Sequence, residues 1–364
     1  MQGMESLRWI LLRADGGLRA GWRLLGHAVL LVPAILLGVG VALLAGTLAA
    51  MLEGGDDWSA LSTTAVYAAS VAGMALALLG AHAVSGVLLD ATFAGGFARG
   101  RTRSAGVGGP VTRALGELIG GALVGAVALV PALVILAIGG LEVQLATSTP
   151  EGLLVFGLNT LMLLPAAAAE EFLFRGYGFL WVGRGLAGLA LLALVRLLPD
   201  RAARLSEVLG FGMVVGGLAL LFGIGHGMNP GVTWLSTANT ALAGLWLGVM
   251  VVRTRTLWVA IGAHWSWNWV HGIVLGLPLS GMTEESTGLA LAPLLRCVPT
   301  AEAEWLSGGA YGLEGSVAAT VAMGLAIVVA GLLPRRSADD GAAALRPLKA
   351  ENTTVSGEAE RTIA

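Results

Sequence analysis

The chain has 364 residues, of which 56% are hydrophobic and only 12% are charged. A soluble globular protein carries about 25% charged residues, so this composition excludes a water-soluble fold. The net charge of −2 argues against a nucleic-acid partner, and the single cysteine excludes an intramolecular disulfide. The 55 glycines lie among Leu, Ala and Val runs. This pattern indicates close helix packing in lipid rather than a low-complexity chain.

Long apolar runs recur along the whole chain. A membrane-spanning helix needs about 20 apolar residues to cross a hydrocarbon core of about 30 Å. Eight predicted spans lie near residues 27–50, 63–90, 118–140, 152–174, 208–227, 234–252, 256–278 and 316–334. The apolar stretch 185–198 is shorter and has arginines on both sides, so we interpret it as a re-entrant or interfacial segment. The predicted fold class is an all-α, polytopic membrane helix bundle with about eight transmembrane helices and one such segment.

These spans divide the chain into four regions. They are an N-terminal membrane region with three helices at 1–150, a central region at 151–278, an outer loop with the last transmembrane helix at 279–334, and a disordered tail at 335–364. Arginines concentrate in 8–23, 99–113 and 184–204, whereas the loops 51–62 and 141–151 contain none. Cytoplasmic loops carry the Lys/Arg excess, so both termini are predicted to be cytoplasmic. The single lysine, Lys349, and the many arginines are typical of a bacterial protein, which places it in the plasma membrane.

The fourth predicted span ends in ionisable residues, which are expensive inside a membrane and therefore indicate function. Glu171 and Arg175 are four residues apart, with the acid on the N-terminal side, so they should form an ion pair on one helix face. Glu170 lies about 100° away around the helix, outside that pair. It is therefore free to face a cavity and to act as a general base on water.

Two later spans also contain polar residues. Phe222 precedes His226 by four residues in a glycine-rich segment that ends at Asn-Pro, which indicates a loosened helix end. His264 and Asn268 are four residues apart in the seventh span and should share one face, with His271 on roughly the same face. The tryptophans around His264 are interpreted as packing or interfacial residues.

Three other features receive structural interpretations. Gly121 and Gly125 have GxxxG spacing, which predicts close packing between helices of the same chain. Cys297 is interpreted as an inert loop thiol. The segment 308–316 is rich in glycine and is interpreted as a flexible turn before the last span, with a partner-recognition loop as the alternative.

Taken in order, the polar residues resemble the three motifs of the CPBP family, also called the Abi or type II CAAX prenyl endopeptidase family. The family patterns are EExxxR, FxxxH and HxxxN, and here they are carried by Glu170, Glu171 and Arg175, by Phe222 and His226, and by His264 and Asn268. The resemblance covers residues 155–275 and implies that the region 151–278 is a catalytic core.

The resemblance implies an intramembrane endopeptidase. Glu170 would activate a water molecule with the help of His226, while His264 and Asn268 would stabilise the oxyanion. The motif residues Glu171, Arg175 and Phe222 would have a structural role. The implied partners are the lipid bilayer and a membrane-associated protein or peptide substrate, of CAAX type or another type. The oligomeric state stays open.

The resemblance leaves the cofactor open between zinc and no metal. Family members are commonly labelled metalloproteases, and Glu170, His226 and His264 could supply three zinc ligands with an open position. The sequence lacks the HExxH pattern of helical zinc proteases, and this absence favours direct activation of water by Glu170 and His226.

Two other functional classes remain as alternatives. The same fold could serve as a catalytically silent membrane scaffold or immunity protein. A transporter would also place polar residues and broken helices inside the membrane, although it predicts inverted repeats that the sequence does not show. The predicted topology also places Glu170 near the inner face and His226 near the outer end of its span. A peptidase requires these two residues to meet.

Overall fold

The computed structural model describes residues 20–52, 70–85, 110–147, 149–283, 292–300 and 304–333. The predicted tail at 335–364, the loop 53–69 and the segment 86–109 lie outside these ranges. The longer described helices are α1 (Ala20–Leu52), α2 (Ser70–Ser85), α3 (Val111–Gly139), α4 (Pro150–Arg175), α5 (Tyr177–Leu194), α6 (Ala202–Gly225), α7 (Trp234–Thr254), α8 (Leu257–Asn268) and α9 (Val317–Leu332). Short helical turns at Glu304–Ser307, Gly309–Tyr311 and Leu313–Gly315 precede α9. A π-helical segment, Trp269–Val274, continues α8.

Five candidate spans among the described residues are long and apolar enough to cross a membrane, while α2 and α9 are shorter apolar helices. Large aliphatic side chains such as Leu123, Val127 and Leu161 are exposed on the outer helix faces. Exposure of these apolar faces to water is costly, whereas lipid solvates them. Inside a lipid bilayer, backbone groups must form their hydrogen bonds within helices. The protein is therefore a helical integral membrane protein, as predicted. The number of eight transmembrane helices stays a prediction.

The helix ends follow local sequence signals. Thr149 caps α4 by accepting a hydrogen bond from the Gly152 amide at 3.1 Å, with proline at the first helical position. Thr233 and Ser236 form a reciprocal capping box at the start of α7. Ser316 caps α9 by accepting the Ala319 amide at 3.1 Å. These side chains satisfy amide groups that have no partner in the first turn of a helix.

The helix that carries the first motif continues beyond its predicted end. It breaks at Gly176 and resumes as α5, and the two helices together form one candidate span of 45 residues, Pro150–Leu194. Residues 185–194 of the predicted re-entrant or interfacial segment form the second part of α5, and the relation of this segment to the membrane stays a prediction. Glu170 is consequently near the middle of this candidate span in sequence, and it lines the same cavity as His226.

Close packing at glycines determines where α8 lies. A Cβ atom on Gly121 would overlap the Val259 carbonyl oxygen, and one on Gly125 would overlap the Ala263 carbonyl oxygen. From the other side, Gly262 abuts the backbone of α3 at Leu118. The GxxxG prediction of packing within the chain is confirmed. This contact matters for function because Ala263 directly precedes His264.

The structure adds a short sheet to the predicted all-α fold. β1 (Leu141–Leu145) pairs in antiparallel register with β2 (Leu295–Pro299), and Val143 lies opposite Cys297. Cys297 therefore lies on a strand and not in a loop, and its amide donates to the Leu275 carbonyl at 3.0 Å. Burial raises the pKa of the Cys297 thiol, which keeps the thiol protonated and unreactive. The sheet joins the segment after α3 to the long loop before α9.

Candidate active site

A cavity of about 390 Å³ lies among α4, α6, α7 and α8. The predicted catalytic residues all line it: Glu170, His226, His264 and Asn268. They come from three separate helices, so their convergence is a property of the tertiary structure. The rest of the lining is mostly apolar, with a few polar groups from α7 and from loops, as is common for small-molecule and peptide sites.

Glu171 and Arg175 form the predicted ion pair behind the cavity wall. Nη1 of Arg175 donates to Oε1 of Glu171 at 2.7 Å, and both side chains are almost fully buried. Nη2 of Arg175 donates to the Gly244 carbonyl at 3.2 Å, which joins α4 to α7. The guanidinium also lies over the Phe222 ring, 4.8 Å from its centroid. The first motif therefore ties together the elements that surround the site.

His264 is bonded to the same carboxylate. Its Nδ1 lies 2.9 Å from Oε1 of Glu171. An ionised carboxylate only accepts hydrogen bonds, so Nδ1 carries the proton and Nε2 is left for the cavity. Glu171 was predicted to have a structural role only. The structure shows that it also orients an imidazole of the site.

His226 is held in a similar way. It directly follows the end of α6, and its Nδ1 lies 2.8 Å from the carbonyl oxygen of Phe222. A carbonyl oxygen has no proton to donate, so Nδ1–H is the donor and Nε2 of the neutral ring keeps its lone pair. The Phe222 ring contacts the His226 ring with centroids 4.8 Å apart and lies 6.1 Å from His264. Phe222 thus packs between the two histidines.

Glu170 is half-buried, and its Oε2 is buried without a hydrogen-bond partner among the described residues. Leaving such a group unpaired costs about 1–3 kcal/mol, and more for a charged group. Because Glu170 lines the cavity, water or substrate can supply the missing partner. Glu171, its neighbour in sequence, is engaged by Arg175 and His264. Oε2 of Glu171 also lacks a hydrogen-bond partner among the described residues, but Glu171 does not line the cavity, so the two adjacent glutamates have different environments, as their helical positions predicted.

Asn268 lies where α8 changes from α-helix to π-helix. Such π segments are rare and are frequent at functional sites. Beyond this point the helical face changes, and His271 is not part of the cavity lining. Instead, Nδ1 of His271 lies 4.0 Å from Oε1 of Glu314. His271 therefore lies beside Glu314 and does not line the cavity with His264 and Asn268.

The candidate zinc ligands line one cavity but are not close enough to share a metal ion. Within the described ranges, no group of three His, Cys, Asp or Glu side chains is close enough to hold a metal ion. Glu170, His226 and His264 line one cavity, but they are not arranged as a three-ligand site. The described part of the chain therefore offers no preformed zinc centre.

The sequence interpretation missed Glu314. This residue also lines the cavity, where its Oε1 accepts a hydrogen bond from Nε1 of Trp267 at 3.0 Å and its Oε2 accepts one from Ser280 at 2.6 Å. The surrounding loop was interpreted as a flexible turn, yet Tyr311 and Leu313 are fully buried. A charged residue within a glycine-rich, apolar loop directly before a span was the available signal.

The fold and the site together define a helical integral membrane protein that encloses a cavity lined by Glu, His and Asn side chains. Residues 152–270 match the family of type II CAAX prenyl endopeptidases described as Rce1-like. This match confirms the resemblance and indicates a hydrolase of the CAAX protease type. It contains all three motifs and leaves residues 1–151 and 271–364 outside. Neither the curated proteins nor the solved structures give a match.

Proposed function

We propose that this protein is an intramembrane endopeptidase that hydrolyses peptide bonds in a membrane-associated protein or peptide. The observation that carries the proposal is the unpaired Oε2 of Glu170 in a cavity shared with two histidines. Both histidines are bonded through Nδ1, so both have Nε2 left for the reaction. The match to CAAX-type endopeptidases supports the same reaction class.

In the proposed first step, Glu170 removes a proton from a water molecule. His226 accepts a second hydrogen bond from this water at Nε2, which orients an oxygen lone pair toward the scissile carbonyl. The water oxygen attacks the carbonyl carbon, and negative charge develops on the carbonyl oxygen. Water exclusion by the apolar lining strengthens each of these interactions.

The oxyanion is stabilised by Asn268 and His264. The Asn268 side-chain amide donates through Nδ2. His264 donates through Nε2 only as an imidazolium, because its Nδ1 already donates to Glu171. The Glu171 carboxylate supports that cation, as the acidic residue does in a Ser-His-Asp triad. His264 therefore acts in its protonated form in this mechanism.

The reaction ends with transfer of the proton held by Glu170 to the leaving nitrogen. The C–N bond breaks, and the products are a carboxylic acid and an amine. Glu170 returns to its carboxylate form. The single residue thus acts first as the general base and then as the general acid.

The test is cleavage of a library of quenched fluorescent peptides by detergent-purified protein. Glu170→Gln should abolish cleavage because a neutral amide cannot accept the proton from water. The matched control is Glu151→Gln, which changes an exposed glutamate in the first turn of the same helix and should retain wild-type activity.

The alternatives have different outcomes in the same experiment. Cleavage that persists in Glu170→Gln would reject Glu170 as the base. A wild-type protein that cleaves no peptide, with a cellular phenotype unaffected by Glu170→Gln, would favour the silent scaffold or immunity protein. Substrate uptake into vesicles without cleavage would favour a transporter.

The proposed setting is the bacterial plasma membrane, with both termini in the cytoplasm. The basis is the distribution of arginines, which are absent from loops 51–62 and 141–151. Labelling of cysteines introduced at the termini of a cysteine-free variant, in intact cells and in lysed cells, tests this orientation.

A further inference from the structure

Glu314 places a second carboxylate in the cavity, and hydrogen bonds hold both the backbone and the side chain of this residue in place. Oε1 and Oε2 of Glu314 each accept one hydrogen bond, from Trp267 and from Ser280. Nδ2 of Asn239 donates to the carbonyl oxygens of Glu314 and Ser316, at 2.8 Å in both cases. The carboxylate is therefore preorganised in the cavity wall by residues from three other segments of the chain.

No cation among the described lining residues is bonded to Glu314, because His264, the imidazolium of the proposed mechanism, is bonded to Glu171. Trp267 and Ser280 are neutral donors, and no Lys or Arg is among the described residues that line the cavity. Arg175 lies behind the wall and is paired with Glu171. His271 is 4.0 Å from Glu314, beyond hydrogen-bond distance, and lies outside the lining. A carboxylate in a partly dehydrated site is stabilised when a cation is brought to it.

We propose that Glu314 is a specificity-determining residue that binds a Lys or Arg side chain of the peptide substrate. The inference rests on the proposed peptidase function and names its substrate class. Each carboxylate oxygen has more than one lone pair, so Glu314 can accept an ammonium or guanidinium donor while keeping Trp267 and Ser280. The preferred substrate therefore presents a basic residue next to the scissile bond.

The experiment uses two quenched peptides that differ only in one residue, Lys or norleucine, near the scissile bond. Cleavage is measured with the wild-type protein in detergent. Binding of the same pair, labelled with a single fluorophore, is measured by fluorescence anisotropy with Glu170→Gln, which requires no turnover. A hydrogen bond to a charged group contributes enough to predict a preference for the Lys peptide of roughly tenfold to a hundredfold in both readouts.

The variant Glu314→Gln removes the charge and keeps an acceptor oxygen for one of the two donors. It should bring the ratio between the Lys and norleucine peptides close to one. Glu304→Gln is the matched control, because Glu304 is an exposed glutamate of the same loop outside the cavity, and it should keep the wild-type ratio.

The inference would be overturned if proteins that keep Glu314 cleaved the two peptides equally and bound them equally. So would a Lys preference that survives in Glu314→Gln. A binding preference that depends on Glu314, without cleavage of either peptide, would support the cation subsite and reject the peptidase. The experiment therefore distinguishes a failure of the cation subsite from a failure of the proposed peptidase function.

Discussion

Oε1 of Glu171 accepts hydrogen bonds from two helices: from Nη1 of Arg175 at 2.7 Å and from Nδ1 of His264 at 2.9 Å. Arg175 is one turn away on the same helix, whereas His264 is 93 residues distant in sequence. A single buried oxygen thus neutralises the guanidinium and orients the imidazole. The ion pair between Glu171 and Arg175 therefore also helps to position His264 in the site.

Removal of one partner from this ion pair should be strongly destabilising. Glu171→Gln leaves the Arg175 charge buried without its counter-ion, which should lower the free energy of unfolding by about 3–5 kcal/mol. It should also lower kcat because His264 loses the acceptor that supports its imidazolium. Denaturant unfolding in detergent and steady-state kinetics measure the two effects separately.

The double variant Glu171→Gln with Arg175→Met is the control for this prediction. Removing both charges should restore part of the stability, because no buried charge is left unpaired. It should not restore kcat. A double variant with wild-type kcat would show that Glu171 acts only by pairing with Arg175.

Loss of the Asn268 amide should affect the transition state. Asn268→Leu keeps the approximate shape of the side chain and removes the donor, so kcat should fall by roughly 10²–10³-fold with little change in KM. Asn268→Asp should not rescue kcat, because a carboxylate accepts hydrogen bonds and repels an oxyanion. Steady-state kinetics on a cleaved peptide check this prediction. A loss confined to KM would instead assign Asn268 to substrate binding.

Chelation should leave the activity unchanged. No group of three acidic, histidine or cysteine side chains among the described residues is placed to hold a metal ion. We therefore expect full cleavage in EDTA and in 1,10-phenanthroline, and less than one zinc per chain by elemental analysis of the purified protein. Inactivation by the chelators with recovery on addition of zinc would contradict the metal-free mechanism.

The loop that carries Glu314 should be sensitive to a single methyl group. Gly312 has φ of 86°, and a Cβ atom there would overlap the Pro278 carbonyl oxygen. Left-handed backbone in a residue other than glycine costs about 1–3 kcal/mol, and the overlap adds to this. Gly312→Ala should therefore lower the unfolding temperature and kcat/KM together.

Gly324→Ala provides the comparison for Gly312. Gly324 lies in α9 with open space around its Cβ position. Its replacement should leave the unfolding temperature unchanged or slightly higher, because alanine favours the helix. Equal effects of the two substitutions would show that the contact of Gly312 with Pro278 does not hold the loop.

Relations within one helix could be predicted from the sequence, because helical periodicity determines which side chains share a face. The Glu171–Arg175 pair, the separate environment of Glu170 and the packing role of Gly121 and Gly125 are of this kind. The order of the three motifs also predicted the family resemblance that the match over residues 152–270 confirms.

Relations between helices were decided by the tertiary structure. Glu170 of α4 and His226 at the end of α6 line one cavity, although they are 56 residues apart. The bond from His264 to Glu171 depends on how closely α3 and α8 pack. Glu314 enters the cavity through a loop whose path is set by contacts with α7 and α8. Composition and periodicity report which face of a helix is apolar, but they do not report where a helix breaks or at what level two helices cross. These contacts are therefore established only when the helices pack.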